Sequence, residues 1–258
     1  MSILMTPVKS MWRGLLSMAR RFGDQRDRIL LSLRLLSRRR FPDSSNVFSG
    51  LSPRDIPVFV INLKKRPDRL RDVRANLEKM GFSDVRVIEA VDGQTTYPHL
   101  VRGHAANLGC TQSHRAAIEA NLRVGKPVAV CEDDNEFLGA KGEVHRLIED
   151  FLNSPEYDVL CLSARVRGPK VEASKDFNAV TWAMAPAFYI AKPRARVALL
   201  GAYRESVRRL SRQLRNGPFD QVWRGIQRYQ LVFVTPVARV ARQKESHSDI
   251  QDKFFAGT

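Results

Sequence analysis

The apolar positions of the chain follow two rhythms. From residue 56 onward, short unbroken apolar runs alternate with stretches in which apolar residues recur every three or four positions. IPVFVINL (56–63) is apolar at nearly every position and rich in β-branched residues, the pattern of a strand buried on both faces. A helix should follow at once: Pro67 suits its first turn, Asp68 its positive end, Leu70, Val73, Leu77 and Met80 form one stripe, and Gly81 stops it. VRVIEAV (85–91) predicts a second strand closed by Asp92-Gly93, TQSHRAAIEANLRVG (111–125) a second helix, and PVAVCED (127–133) a third strand. Farther on, YDVLCLS (157–163), AFYIA (187–191) and QLVFVTP (230–236) are strand candidates, and Val197, Leu200, Tyr203, Val207 and Leu210 recur at helical spacing between the last two. Strands alternating with helices predict an α/β domain with a mostly parallel central sheet flanked by helices, whose ligands bind beyond the carboxyl ends of the strands.

Before residue 56 the pattern changes. Met11, Trp12, Leu15, Leu16 and Phe22, then Ile29, Leu30, Leu33 and Leu36, stand among arginines at roughly helical spacing. Two basic amphipathic helices are expected here, either lying on an anionic membrane surface or packed on protein. FPDSSNVFSGLSPRD (41–55) has the composition of a linker. The division that follows is a basic N-terminal extension over 1–50 and one domain over 55–258.

Charge sharpens this division. The 258 residues carry 43 Lys plus Arg against 27 Asp plus Glu, a formal charge of +16 that points toward anionic partners. Residues 1–40 hold ten of the basic residues and only Asp24 and Asp27 as acids, so half of the excess lies outside the domain. A nucleic-acid-binding protein would place basic and aromatic residues together on a folded face or carry a recognisable motif; neither is visible. Cys110, Cys131 and Cys161 sit in or beside apolar runs without metal spacing, as reduced core thiols of a cytoplasmic protein would. No run approaches the ~18 apolar residues of a membrane span, and GLLSMARRF makes a poor signal peptide.

Against this basic background, VAVCEDDNEF (128–137) runs from a buried strand into three consecutive acids. Strand alternation would place Glu132 and Asp134 on one face and Asp133 on the other. Paired carboxylates at an open strand end offer hard oxygen ligands to Mg²⁺ or Mn²⁺ and repel one another without a cation. A solvated turn or a helix cap would use the same residues, and a phosphohydrolase or nuclease could hold metal in the same way.

Motif order narrows the choice. VFVINLKKRPDRL, IEAVDG, LGCTQSHRAAIEANL and VAVCEDDNEF, followed by AMAPAFYIAKPRARVALL and GPFDQVWRGIQRYQLVFVTPVARVARQKESHSDI, resemble the successive elements of glycosyltransferase family 25 over about residues 56–250. That family includes bacterial lipopolysaccharide galactosyltransferases and collagen galactosyltransferases. The resemblance implies a GT-A-like fold in which the acidic strand end holds Mn²⁺ or Mg²⁺ against the diphosphate of a UDP-sugar donor. It further implies an inverting transfer of a hexose, galactose by family habit, to a lipopolysaccharide core or related lipid-borne glycan. The cytoplasmic face of the membrane is the place expected for that reaction.

By the same resemblance, Glu132 and Asp134 are metal ligands and Asp133 lies near the ribose or stands behind the metal ligands. His247 of KESHSDI is a distal third ligand, or else belongs to a mobile C-terminal tail. Asn62, Arg66 and Arg69 hold the nucleotide, Asp92 contacts uridine or merely closes a turn, and Ser113 and His114, at a helix start, serve the diphosphate or orient the metal carboxylates. Asp220 binds the acceptor or acts as the base, or else caps a helix. Arg165, Arg167, Arg239 and Arg242 could hold an acceptor bearing phosphate or carboxylate. A relative that keeps the fold without catalysis is the remaining alternative, alongside nucleic-acid binding.

Overall fold

The computed structural model describes the backbone of residues 6–244, 246–248 and 253–255, and side chains over 22–244. The predicted strands form as β1 (Val58–Asn62), β2 (Val85–Glu89) and β3 (Val128–Glu132), with α2 (Pro67–Lys79) between the first two. Gly81 adopts φ +86°, the left-handed conformation that ends α2 at little steric cost. The chain continues through the short helix α3 (Gly93–Thr96), α4 (Arg102–Glu119), β4 (Asn135–Phe137), α5 (Lys141–Asn153), β5 (Val159–Val166), β6 (Lys170–Glu172), β7 (Phe177–Val180) and β8 (Ala183–Ala191). It closes with α6 (Pro193–Ser211), α7 (Phe219–Tyr229), β9 (Phe233–Pro236), β10 (Ala241–Gln243) and the hairpin β11 (Ser246–Ser248) and β12 (Lys253–Phe255).

Eight strands make one sheet in the order β2-β1-β3-β8-β5-β9-β7-β6. β1 pairs in parallel with β2 and β3, and β5 with β9, whereas β8 runs antiparallel to both β3 and β5, and β7 antiparallel to β9 and β6. Six strands therefore point one way, and β7 and β8 point the other. Alternation divides the core into two layers. Val58, Val60, Ala129 and Cys131 face α2 and α5, and Phe59, Ile61, Val128 and Val130 face α4, α6 and α7. The molecule is thus a mixed α/β fold with helices on both sides of one large sheet.

The N-terminal region departs from expectation. One continuous helix, α1 (Thr6–Arg40), replaces the two predicted; a single Gly23 does not break it. Leu31 and Leu35 are buried in the core layer shared with α2 and α5. Arg34 donates to the carbonyls of Gln227, Arg228 and Leu231, and Arg38 to that of Gln230 and to the Asp158 carboxylate. These two arginines satisfy the orphan carbonyls at the end of α7, a favourable place for cations. Arg39 donates to the Ala173 carbonyl and Glu156, and buried Asp27 pairs with Arg228. The linker is docked as well: Asn46 Nδ2 donates to the carbonyls of Pro155 and Tyr157, both at 2.8 Å.

Candidate functional site

A cavity of about 190 Å³ opens beyond the carboxyl ends of β1, β2 and β3. Its floor is Ile61 and Leu63, one wall is the segment from Ala90 to Gln94 after β2, and another is the face of α4 bearing Ala106, Cys110, Ser113 and His114. This is where ligands bind in open α/β sheets. The α4 wall stands close because two glycines let backbones touch. A Cβ on Gly109 would lie 2.3 Å from the Val91 carbonyl oxygen, and one on Gly93 would lie 1.8 Å from that of Ala105. Gly109→Ala must push α4 and the 91–93 segment apart, at a cost of about 1–3 kcal/mol or more. Urea denaturation should report that loss, together with weakened ligand binding, because both walls of the cavity move.

All three acids line the cavity. β3 ends at Glu132, and Asp133 and Asp134 form the turn into β4, so strand alternation stops before it can send Asp133 to the other face. Asn62 Nδ2 donates to Asp133 Oδ2 at 2.7 Å, and Arg69 reaches its Oδ1 at 3.2 Å and lies 4.0 Å from Asp134. Gln243 Nε2 donates to Asp134 Oδ2 at 3.0 Å and lies 3.5 Å from Glu132 Oε2. Asp134 Oδ1 is buried with no hydrogen-bond partner.

The electrostatics follow from this crowding. Burial, then the charges of Asp133 and Asp220, push the Glu132 carboxyl up to about 8. Burial, then Glu132 and Asp133, push Asp134 up to about 7. Burial also raises Asp133, against the pull of Arg69 and the Asn62 hydrogen bond. Three mutually repelling carboxyls with an orphaned oxygen suit a divalent cation with hard oxygen ligands, which would neutralise the repulsion. Glu132 and Asp134 would hold such an ion, and Asp133 is already engaged by Asn62 and Arg69.

His114 is buried and its ring is pushed down to about 3 by that burial, so it is neutral. Its Nε2 lies 3.1 Å from Glu132 Oε1 and its Nδ1 3.3 Å from the Tyr189 hydroxyl, which in turn lies 2.7 Å from that of Tyr203. This chain orients Glu132 from behind, as outer-layer partners orient metal carboxylates. Cys110, His114 and Glu132 also bring ligand-capable atoms within 4.8 Å of one another. A sulfur, nitrogen and oxygen set favours a softer ion such as zinc, but burial and nearby carboxylates raise the Cys110 thiol and keep it protonated.

Ser113 and His114 are not at a helix start. α4 begins at Arg102, so both lie in mid-helix, where their N–H groups serve the helix itself and offer nothing to phosphate. Ser113 Oγ instead donates to the Gly109 carbonyl and accepts from Val91 N–H, which ties α4 to the β2 end. Asp92 caps α3 by accepting from Gln94 N–H, and Lys65 pairs with it at 2.7 Å, which lowers its carboxyl. Arg66 pairs with Asp68, and its carbonyl accepts from Asn62.

Asp220 sits in the first turn of α7, not at its N-cap, which is Pro218. Its Oδ2 accepts from Ala185 N–H at 3.3 Å and its Oδ1 is buried without a partner. Burial raises this carboxyl against the pull of its hydrogen bonds from the backbone. Phe219 packs on His114 at 4.5 Å between rings and draws the first turn of α7 toward the acids. Ala185 has φ +45°, a strained conformation for a residue with a Cβ and one that collects at functional sites. The expected ligand His247 falls on β11, and its side chain lies outside the described residues. Gln243, by contrast, was invisible in the sequence: it reaches the acids only because β10 pairs with β4, opposite Asn135.

No protein-family model matches the chain. Over 138 residues it is 30% identical to a human protein named inactive glycosyltransferase 25 family member 3, a match that covers 45% of this chain and 23% of that relative. Among solved structures, the apo form of the bifunctional glycosyltransferase WbbM overlaps with a TM-score of 0.37 at 12% identity, over 68% of this chain and 38% of its own. Mouse xyloside xylosyltransferase 1 overlaps with a TM-score of 0.37 at 11% identity, over 78% and 79%. A197 from STIV gives 0.38 at 12%, over 78% and 93%. What the chain resembles in sequence is therefore a glycosyltransferase 25 family member, along a segment that covers less than half of it.

Proposed function

We propose that the protein is a glycosyltransferase that moves a hexose from a UDP-sugar to a lipid-borne glycan, by inversion, with a divalent cation held by Glu132 and Asp134. The observation that carries this reading is the trio of acids lining the cavity at the strand ends, with raised carboxyls and a buried Asp134 Oδ1 that has no hydrogen-bond partner. When bound, the cation supplies stabilisation of the charge that grows on a leaving diphosphate. Arg69 and Asn62 steady Asp133 beside the nucleotide, and His114 fixes Glu132. Asp220, with its free Oδ1 and raised carboxyl, takes the proton of the acceptor hydroxyl. Galactose as the donor sugar rests on the family resemblance alone.

Thermal stabilisation of the wild type by UDP and a panel of UDP-sugars, with and without Mn²⁺, tests the donor half of this reading. The expected result is a UDP shift that requires the cation. No shift with any nucleotide removes the proposal and returns attention to the basic surface. The name of the human relative makes a second reading specific: a protein that binds the donor without transfer. Cation-dependent binding without turnover on any glycan would favour it.

A membrane-borne acceptor is supported by the face of α1 turned away from the domain. Phe22, Ile29, Leu33 and Leu36 are exposed along one stripe, and Arg26 and Arg40 stand in the same line. Apolar residues flanked by cations suit an anionic lipid surface. No described helix is long and apolar enough to cross a membrane. The wild type should float with vesicles containing anionic phospholipid and not with neutral ones, and Ile29→Glu with Leu33→Glu should remain in the pellet. Flotation unchanged in that variant overturns the membrane role.

A further inference from the structure

A second cavity, of about 290 Å³, lies at the start of β10, whose last residue, Gln243, reaches the acids. It is bounded by the end of β5, by Lys170 of β6 and by the segment from Thr235 to Ala241 that joins β9 to β10. Its size is near the lower end of the roughly 300–1,000 Å³ of small-molecule sites. Three cations line it, Arg165, Lys170 and Arg239, and no carboxylate does among the described residues. Val237, exposed and apolar, stands beside Arg239.

Its position relates it to the donor cavity. Ala241 lines this cavity, and Gln243, which binds Asp134 at 3.0 Å, lines the other. Residues two apart on a strand share a face and lie about 7 Å from each other. Irregular pairing of β5 with β8 between Cys161, Ser163 and Arg165 also belongs to this corner, and bulges of that kind re-aim side chains beside sites. The two cavities differ in charge: the first sets Asp92, Glu132, Asp133 and Asp134 against Lys65, Arg69 and Arg102, whereas the second has Arg165, Lys170 and Arg239 with no carboxylate beside them among the described residues.

We propose that this second cavity is an acceptor subsite, which holds a sugar bearing a phosphate or carboxylate group and presents an uncharged hydroxyl toward the acidic cavity. The inference rests on the transferase reading and adds the charge of the acceptor. The three cations attract the anionic group with no carboxylate in this cavity to compete for them, which leaves an uncharged hydroxyl as the end turned toward the acidic cavity. Val237 offers apolar surface to the face of a sugar ring.

The experiment measures binding of a hexose 6-phosphate, a hexuronic acid, the parent hexose and inorganic phosphate to the wild type, Arg239→Glu and Arg165→Ala, with the UDP and Mn²⁺ thermal shift recorded on each. Arg239 is exposed, so its reversal should fold even if the Arg165 variant does not. Expected is binding of the hexose phosphate or the hexuronic acid, weakening with salt and about tenfold or more weaker in Arg239→Glu, with the parent hexose much weaker in every protein. Phosphate preferred over carboxylate, or the reverse, names the group. Equal binding of charged and neutral hexoses, binding of inorganic phosphate only, or affinity unchanged in both variants overturns the subsite while an intact UDP shift leaves the transferase reading standing. Loss of the UDP shift in the wild type would instead remove the reading on which the subsite rests.

Discussion

Asp134→Asn is expected to abolish cation-dependent stabilisation by UDP and to lower transfer by roughly 10²–10³-fold, the loss typical when charge stabilisation is removed from a leaving group. The variant should fold. Asparagine keeps the shape of the side chain, and its oxygen can still accept from Gln243 Nε2, which lies 3.0 Å from Asp134 Oδ2. Without metal it should be at least as stable as the wild type near neutral pH, because one member of a repelling trio has gone. Stability of the metal-free wild type follows the same logic. Glu132, raised to about 8 from 4.5, and Asp134, raised to about 7 from 3.8, retain protons in the folded state that the unfolded chain has released. Stability should therefore fall as pH rises through the window from about 4 to 8, by at most about 1.4 kcal/mol per pH unit for each proton involved. Melting curves in chelator check the sign. The slope should be shallower in Asp134→Asn, and the gain on adding Mn²⁺ should grow over the same window. A wild type whose metal-free stability rises from pH 5 to 8, with no Mn²⁺ effect, would sink the assignment of these carboxyls.

The second large effect is structural. Asp158 is fully buried, and its carboxylate receives Arg38 at 2.5 Å, Arg194 at 2.6 Å and Val232 N–H at 2.7 Å. It joins α1, the start of α6 and the start of β9 at one point. Asp158→Ala leaves two guanidinium groups, each about a quarter exposed, without their shared partner. Removing one side of such a buried pair costs about 3–5 kcal/mol, a large share of the 5–15 kcal/mol typical of a folded domain. Arg38→Ala should cost less, about 1–3 kcal/mol, because Arg194 still neutralises the carboxylate. The urea midpoints of the two variants check the ranking. Release of α1 in Asp158→Ala should also appear as new protease cleavage among its arginines, and an intact α1 would refute the linchpin role of this carboxylate.

Parts of the site were legible from local pattern alone. β1 and β3 are buried on both faces, so their runs of apolar residues announce them whatever lies beside them. Asp133, Asp134 and Glu132 stand out because carboxyls rarely follow such a run without a reason. Proline, an acidic first turn and a glycine stop outlined α2 just as clearly. α4 was harder. Gly103 and Gly109 in its first half have poor helix propensity, so the local pattern puts the start of the helix at residue 111 and Ser113 and His114 in its first turn. Gly109 is there for the close approach of α4 to the β2 end, a demand of packing that no local pattern expresses. α5 has no counterpart among the elements expected from the sequence, although the hydrophobic spacing of Val144, Leu147, Ile148 and Phe151 was a signal for it.

Sequence by itself determined the alternation of strands and helices, the place of the acids at a strand end and the concentration of positive charge in the first 40 residues. The tertiary structure alone decided the direction of β8, since a strand apolar on both faces packs equally well either way round and its pairing is chosen by neighbours. It decided as well which arginines of α1 meet protein, because an amphipathic face is the same pattern whether lipid or α7 covers it. Gln243 and Arg242 come to the acidic turn through pairing of segments about a hundred residues apart. Contacts of that range are set by the packing of the whole chain, whereas the acids themselves are set by a few neighbours in sequence.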